Sequence, residues 1–298
     1  MGESGYAISL EERRRLLEAN VAAARVFRQE LLRATSSWPV EYLKSSGAEE
    51  VLSAGSAWNI GYAPSARRGL VDHLLVEGFA YGTLVKAGLV TWSDEGQAID
   101  RHQNQLMLLA RDHRLSPVGF IGIGRDLQAR SISPVTVLHR SSNVLVGVEE
   151  QLDLLGGGAV PVIVDEPVDA IAISRVSRQM GGQWAGIPVC SAGLSTAQAR
   201  ILRRFSASDR VIVALSGNDA ERNQKAGYVL DLAFFFDRVR AVGLPASPAV
   251  LTREESGLEH LHDLLSSSRP LMTFRTTGSG FVSSRPTDPD PPVAAPGL

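Results

Sequence analysis

The hydrophobic pattern at the start of the chain is helical. Ser9 is followed three residues later by Glu12, a capping-box signature, and Leu17, Val21, Ala24, Phe27 and Leu31 then recur at helical spacing. One helix is expected, with its apolar stripe against the next segment. Pro39 opens a second helical stretch over 40–45, Gly61 and Pro64 of WNIGYAP predict a turn, and two further helices over 69–77 and 81–86 end at Gly88. From Leu106 the texture changes to short apolar runs, LMLLA, PVGFIGIG and NVLVGV, which predict strands. Gly119, Gly122 and Gly124 fit bends in those strands better than a dinucleotide loop, because RDLQARSISP follows where a helix would be needed.

The glycine-rich LLGGGAV, 154–160, is the best candidate for a joint. Beyond it strands and helices alternate: PVIV, a helix over 168–178, AGIPV, a helix over 195–205, RVIVAL, a helix over 219–238, VRAVGLP and a last helix over 257–265. That alternation argues for a parallel sheet covered by helices. The expected organisation is a helical then mixed α+β subdomain over 1–153, an α/β subdomain over 160–272, and a disordered Pro- and Ser-rich tail over 275–298.

Composition narrows the function. A chain of 298 residues can hold a sizeable core. Its single cysteine, Cys190, excludes an internal disulfide and any zinc module built from several thiolates, so no zinc is expected. No apolar run approaches the ~20 residues that cross a bilayer, and the acidic start MGESGYAISLEE does not resemble a signal peptide. A cytoplasmic protein without a membrane partner is expected. The net charge of −2 supplies no global pull on nucleic acid. Between Asp100 and Arg140, however, six arginines face three aspartates, a local basic excess that a solvated face would explain equally well.

In a parallel α/β sheet, ligands bind beyond the carboxyl ends of the strands, where neighbouring loops converge. Three such ends carry candidate chemistry: Asp165, Glu166 and Asp169; Cys190 and Ser191; and Ser216, Gly217, Asn218 and Asp219. Acids at the first and third could share a hard cation, which binds oxygen ligands. Ser191 or Ser216 as a hydrolytic nucleophile would need a general base that spacing does not provide. Cys190 reads as a small buried residue, and Trp58 and Trp184 as core residues rather than base-stacking platforms.

The stretches PVIVDEPVDAIAI, SAGLSTAQARIL and VIVALSGNDAERNQKAG, in this order, resemble the TOPRIM module of bacterial-type DNA primases, with its E-G-x-x-D, G-T-A-L-T and D-x-D-x-A-G signatures. ANVAAARVFRQELL, WNIGYAP, IDRHQNQLMLLARD, GFIGIGRDL and ISPVTVLHRSSNVLVGV resemble the primase core ahead of it, in the short form of actinobacterial, plasmid and phage proteins. The likeness runs from about Ala19 to Leu271. It implies an α+β N-terminal half followed by a TOPRIM-like α/β parallel sheet, and RNA primer synthesis on single-stranded DNA with magnesium or manganese.

Carried over by position, the resemblance makes Asp165 and Asp169 the catalytic acids; the metal is expected near Asp165 and Asp219, the latter an acid flanking the family's metal positions, as Glu221 also is. Glu166 stands at the family glycine, and Ser216 and Asn218 occupy the two aspartate positions of D-x-D. The basic motif D-R-F-R-x-R is matched by Asp100, Arg101, His102, Gln103, Asn104 and Gln105, and K-Y-L-N-S-P by Ala129, Arg130, Ser131, Ile132, Ser133 and Pro134. Arg101, Arg125, Arg130 and Arg140 are then the nucleic-acid or nucleotide contacts. Carboxylates and basic residues have been exchanged while the apolar scaffold stays. The expectation is a primase-like protein of replication or a mobile element with synthesis weakened or lost, its partners being single-stranded DNA, ribonucleotides and a replication protein. The other reading is a non-catalytic subunit that binds nucleic acid or that partner.

Overall fold

The computed structural model describes residues 8–34, 37–126, 130–190, 193–217, 225 and 227–271; the stretch expected to be a disordered tail lies outside them. Helix α1 (Leu10–Arg33) starts as its cap predicts, with Ser9 Oγ accepting the Glu12 N–H at 3.0 Å. Its buried stripe is Leu16, Ala19, Ala23, Phe27 and Leu31, whereas Val21, expected inside, is 44% exposed. The helix is rotated towards its small residues because alanines allow a closer approach to the sheet beneath.

Helix α2 (Trp38–Ser45) leads to strand β1 (Gly61–Ala63), then α3 (Gly69–Val76) and α4 (Tyr81–Lys86). The turn expected at Gly61 is therefore a strand. A side chain on Gly61 would lie 2.5 Å from the Phe27 Cβ, so this glycine serves the contact with α1 rather than a bend. A hairpin of β2 (Val90–Trp92) and β3 (Ala98–Asp100), unforeseen in the sequence, precedes β4 (Gln105–Arg111), β5 (Pro117–Ile123) and β6 (Arg130–Ile132). Strands β1, β4, β5 and β6 form an antiparallel sheet in the order β1-β4-β5-β6. NVLVGV adds no strand to it. Only Leu145 bridges to Arg111, and Gly147 then turns the chain at φ +80°.

The second half contains α5 (Leu152–Gly156), β7 (Val160–Val164), α6 (Pro167–Gln179), β8 (Trp184–Pro188), α7 (Thr196–Phe205), β9 (Arg210–Leu215), α8 (Val229–Ala233), β10 (Arg238–Gly243), α9 (Pro248–Leu251), α10 (Gly257–Ser266) and β11 (Arg269–Pro270). The helix expected over 219–238 is, among the described residues from Val229 onward, the short α8, because Arg238 already pairs with Arg210 in the sheet. The five strands lie in the order β11-β10-β9-β7-β8, parallel except for β11. This is the helix-covered α/β sheet the alternation predicts. One apolar cluster draws on both halves of the chain, including Leu31, Leu106, Ile121, Val162, Ile171 and Ile212.

Helix α6 is buried along most of its length. It lies so close to β8 that a side chain on Gly186 would stand 2.5 Å from the Ala170 carbonyl oxygen. Arg175 donates to the Gly47 carbonyl and, at 3.5 Å, to that of Thr252. Asp169, 3% exposed, accepts the Ala249 N–H at 2.9 Å near the start of α9. Burial pushes this carboxyl up to about 6, against the pull of the Ala249 N–H and Ser247, with the Glu166 and Asp165 charges adding to the rise. At the outer edge, the Trp184 N–H donates to Ser177 Oγ at 2.9 Å. The Gln151 amide accepts the Gly186 N–H at 3.0 Å and donates to the Gly186 carbonyl.

Two outcomes follow from this packing. Gly186→Ala drives a methyl group into backbone and is expected to destabilise the protein by about 1–3 kcal/mol, whereas Gly55→Ala, with open space around it, stays within about 0.5 kcal/mol; urea unfolding midpoints check both. Asp169 retains its proton in the folded state at pH values where the unfolded chain has lost it. Stability therefore falls by about 2–3 kcal/mol as pH rises from roughly 4 to 6, and Asp169→Asn flattens this slope in the same measurement repeated across pH.

Candidate functional site

The carboxyl ends of β7, β8, β9 and β10 form one pole of the parallel sheet. Asp165 leaves β7 with its side chain 42% exposed, and Glu166 is the N-cap residue of α6. Asp169, in the first turn of α6, is buried with the backbone of α9 as partner, within reach of the Asp165 charge. Cys190, past β8, is 1% exposed with φ +52°. Strand β9 ends at Leu215 and is followed by Ser216 and Gly217, the latter at φ +90°. Asn218, Asp219 and Glu221 lie outside the described residues. Beyond β10, Leu244 to Ser247 carry no carboxylate.

Lys225, which sequence reasoning passed over, occupies the middle of this pole. It is 5% exposed, and its Nζ lies 2.5 Å from Asp165 Oδ2 while donating to the Ser216 carbonyl at 3.1 Å and to Ser216 Oγ at 3.3 Å. Tyr228 is buried nearby, its phenol pushed up to about 12 by burial and then by the Asp165 charge. Among the described residues, no group of three or more His, Cys, Asp or Glu side chains could hold a metal ion. Among the described residues, the charged donors at this pole are Asp165, already ion-paired, and Glu166, while the Ser216 hydroxyl and carbonyl bring no charge of their own, a poor set for a dication.

A second constellation sits at one end of the antiparallel sheet. The pairing of Leu106 with Ile123 and of Ile123 with Arg130 brings the start of β4, the end of β5 and the start of β6 together. Arg101, Arg125 and Arg130 therefore share that end, Arg125 being exposed. Asn104, in the left-handed region at φ +52°, accepts from Trp38 Nε1 at 2.9 Å and from the Tyr62 hydroxyl at 3.1 Å. Trp38 in turn packs on Tyr42, their centroids 6.5 Å apart. Half-exposed aromatics at an end of the sheet that also carries arginine positions suit single strands, whose bases stack on aromatic rings and whose phosphates pair with cations. Their separation in sequence concealed this grouping.

Arg140 stands apart from the other three. It is exposed ahead of Ser141 and Ser142, whose carbonyls accept from Gln198 Nε2 and Ser195 Oγ at the start of α7. It therefore belongs to the pole of Asp165. Two motif residues are structural: Asp100 accepts the Leu70 and Val71 N–H groups at 2.9 and 2.8 Å, capping α3, and His102 packs edge-on against Phe120. Burial lowers His102 to about 4, so its neutral ring packs as an aromatic.

Comparison with known proteins places this geometry. Residues 26–151 match the model of the DNA primase catalytic core, N-terminal domain. The DNA primase of Deinococcus radiodurans is 28% identical over 252 residues, covering 82% of this chain and 42% of that protein; that of Mycolicibacterium smegmatis is 28% identical over 221 residues, covering 70% and 33%. The chain thus spans less than half the length of these relatives. The RNA polymerase domain of Mycobacterium tuberculosis primase superposes with a TM-score of 0.72 at 25% identity, covering 88% of this chain and 86% of that one. The same domain in complex with a double-stranded DNA oligomer bearing a 6-nucleotide overhang gives 0.71 at 25%, covering 88% and 83%. By its matched domain and by its fold, the chain is related to the bacterial DNA primases and has the architecture of their catalytic core.

Proposed function

We propose that this protein is a DNA primase-like component of DNA replication, acting in the cytoplasm, that binds single-stranded DNA and in which primer synthesis is weakened or lost. Primase cores in general use a divalent metal, and the observation that carries the reading is the strand-end inventory. Among the described residues, β9 is followed by Ser216 and Gly217, the loop after β10 is free of acids, and Asp169 is turned into the core. Phosphoryl transfer depends on metal to neutralise charge on the transferring phosphate, and among the described residues only Asp165 and Glu166 at these strand ends carry negative charge with which to hold it. The aromatic and arginine end of the antiparallel sheet supports retained DNA binding.

The reading in which synthesis survives keeps Asp165 and Asp219 as magnesium or manganese ligands, Asp169 as a further acid, and Arg140 as a ribonucleotide phosphate contact. Asp165 at the end of β7 is the observation in its favour.

A primer-synthesis assay on single-stranded template with ribonucleotides and magnesium or manganese is expected to yield no product above background. Labelled primer that disappears on Asp165→Ala would sink this reading and establish the active one. In parallel, Arg125→Ala or Arg130→Ala is expected to weaken single-strand binding measured by fluorescence anisotropy, and to lower its log–log salt slope by about 0.7 for each phosphate contact removed.

A further inference from the structure

The chain has 30 basic residues, of which only Lys44, Lys86 and Lys225 are lysines. Lys44 and Lys86 are exposed, as lysines usually are, and Lys225 is 5% exposed. A charge is buried this way only where its partners compensate the lost water. An ammonium has three N–H donors and no acceptor. Among the described residues, three oxygens lie within reach of Lys225: Asp165 Oδ2 at 2.5 Å, the Ser216 carbonyl at 3.1 Å and Ser216 Oγ at 3.3 Å. Its capacity is therefore filled, by one carboxylate, one hydroxyl and one carbonyl. Those are the oxygen donors that a hard cation also takes, and they come from the ends of β7 and β9.

We infer that the Lys225 ammonium is the resident cation of this pole, standing where a primase core would hold a divalent ion. It joins the end of β7 to the end of β9 without metal, and the exchange of an aspartate for Ser216 suits it. One ammonium needs one carboxylate for neutrality, and a second against it would leave negative charge unbalanced. A dication approaching Asp165 would meet a like charge already bound to the same oxygen. The fixed ammonium is compact and strongly hydrated when free, so an arginine, with its planar fork, would not fit the same three-oxygen cup.

This inference rests on reading the pole as the counterpart of a metal-holding one, and its test needs neither DNA nor polymerisation. Manganese binding to the full chain, read by the electron paramagnetic resonance signal of free Mn²⁺, is expected to be absent at millimolar metal for the wild type and for Ser216→Asp. Combining Ser216→Asp with Lys225→Met, which keeps the length of the side chain while removing its charge, is expected to tighten binding at least about tenfold over Ser216→Asp alone. Wild-type binding that Asp165→Asn abolishes would overturn the inference, as would equal affinity of the single and double variants. The wild-type titration decides even if a variant fails to fold. In a thermal-unfolding cycle, Lys225→Met is expected to lower Tm more in the wild type than in an Asp165→Asn background; an equal loss in both would mean that the ion pair does not hold the pole together. The appearance of primers in the synthesis assay would overturn the functional reading without bearing on who occupies the Asp165 oxygen.

Discussion

The structure depends on a helix with almost no wet face. Helix α6 must find partners for nearly every side chain it carries, and each partner fixes a different part of the molecule. Gly186 lets it press on the sheet, Asp169 ties it to α9, and Arg175 reaches carbonyls at Gly47 and Thr252. Burying a carboxylate and a guanidinium is tolerable only because backbone groups meet them. The same contacts set where α6 begins, and hence where Asp165 and Glu166 stand.

On the proposed reading, that rigidity lets the chemistry differ while the scaffold is kept. Residues that hold α6 in place face inward and are answerable to packing, whereas Asp165 and Ser216 meet Lys225 at the pole and are answerable to charge. A helix start anchored from beneath does not need a bound ion to keep its position. On that reading, carboxylates that a metal would demand can be exchanged, provided that Asp165 is neutralised from within the chain.

The strand and helix alternation of the second half was legible because it follows from long apolar runs and clear caps, such as Ser195 with Gln198 at α7. The hairpin of Val90–Trp92 and Ala98–Asp100 was not, since three residues per strand give no measurable period. Gly61 misled because a glycine before a proline suggests a turn, while here it answers to a helix distant in sequence. At the site, the ends of the strands could be read, but Asp169 could not be told from Asp165. Both are acids after the same strand, and only burial divides them. Lys225 lay within the same motif, nine residues past Ser216, yet its role depends on its meeting Asp165 at the end of β7, which spacing does not encode. Its one sequence signal was the rarity of lysine in an arginine-rich chain.

The outer rim of the five-stranded sheet has a consequence of another kind. On β8 the residues whose backbone turns outward are Trp184, Gly186 and Pro188: the first N–H is held by Ser177, the second residue is bracketed by Gln151, and proline has no N–H to offer. A foreign strand would find no donor free along this border and would have to evict a buried amide to register there. The molecule is thereby protected against growing by strand addition into a ribbon of copies, a hazard that an open parallel sheet otherwise carries at its margin.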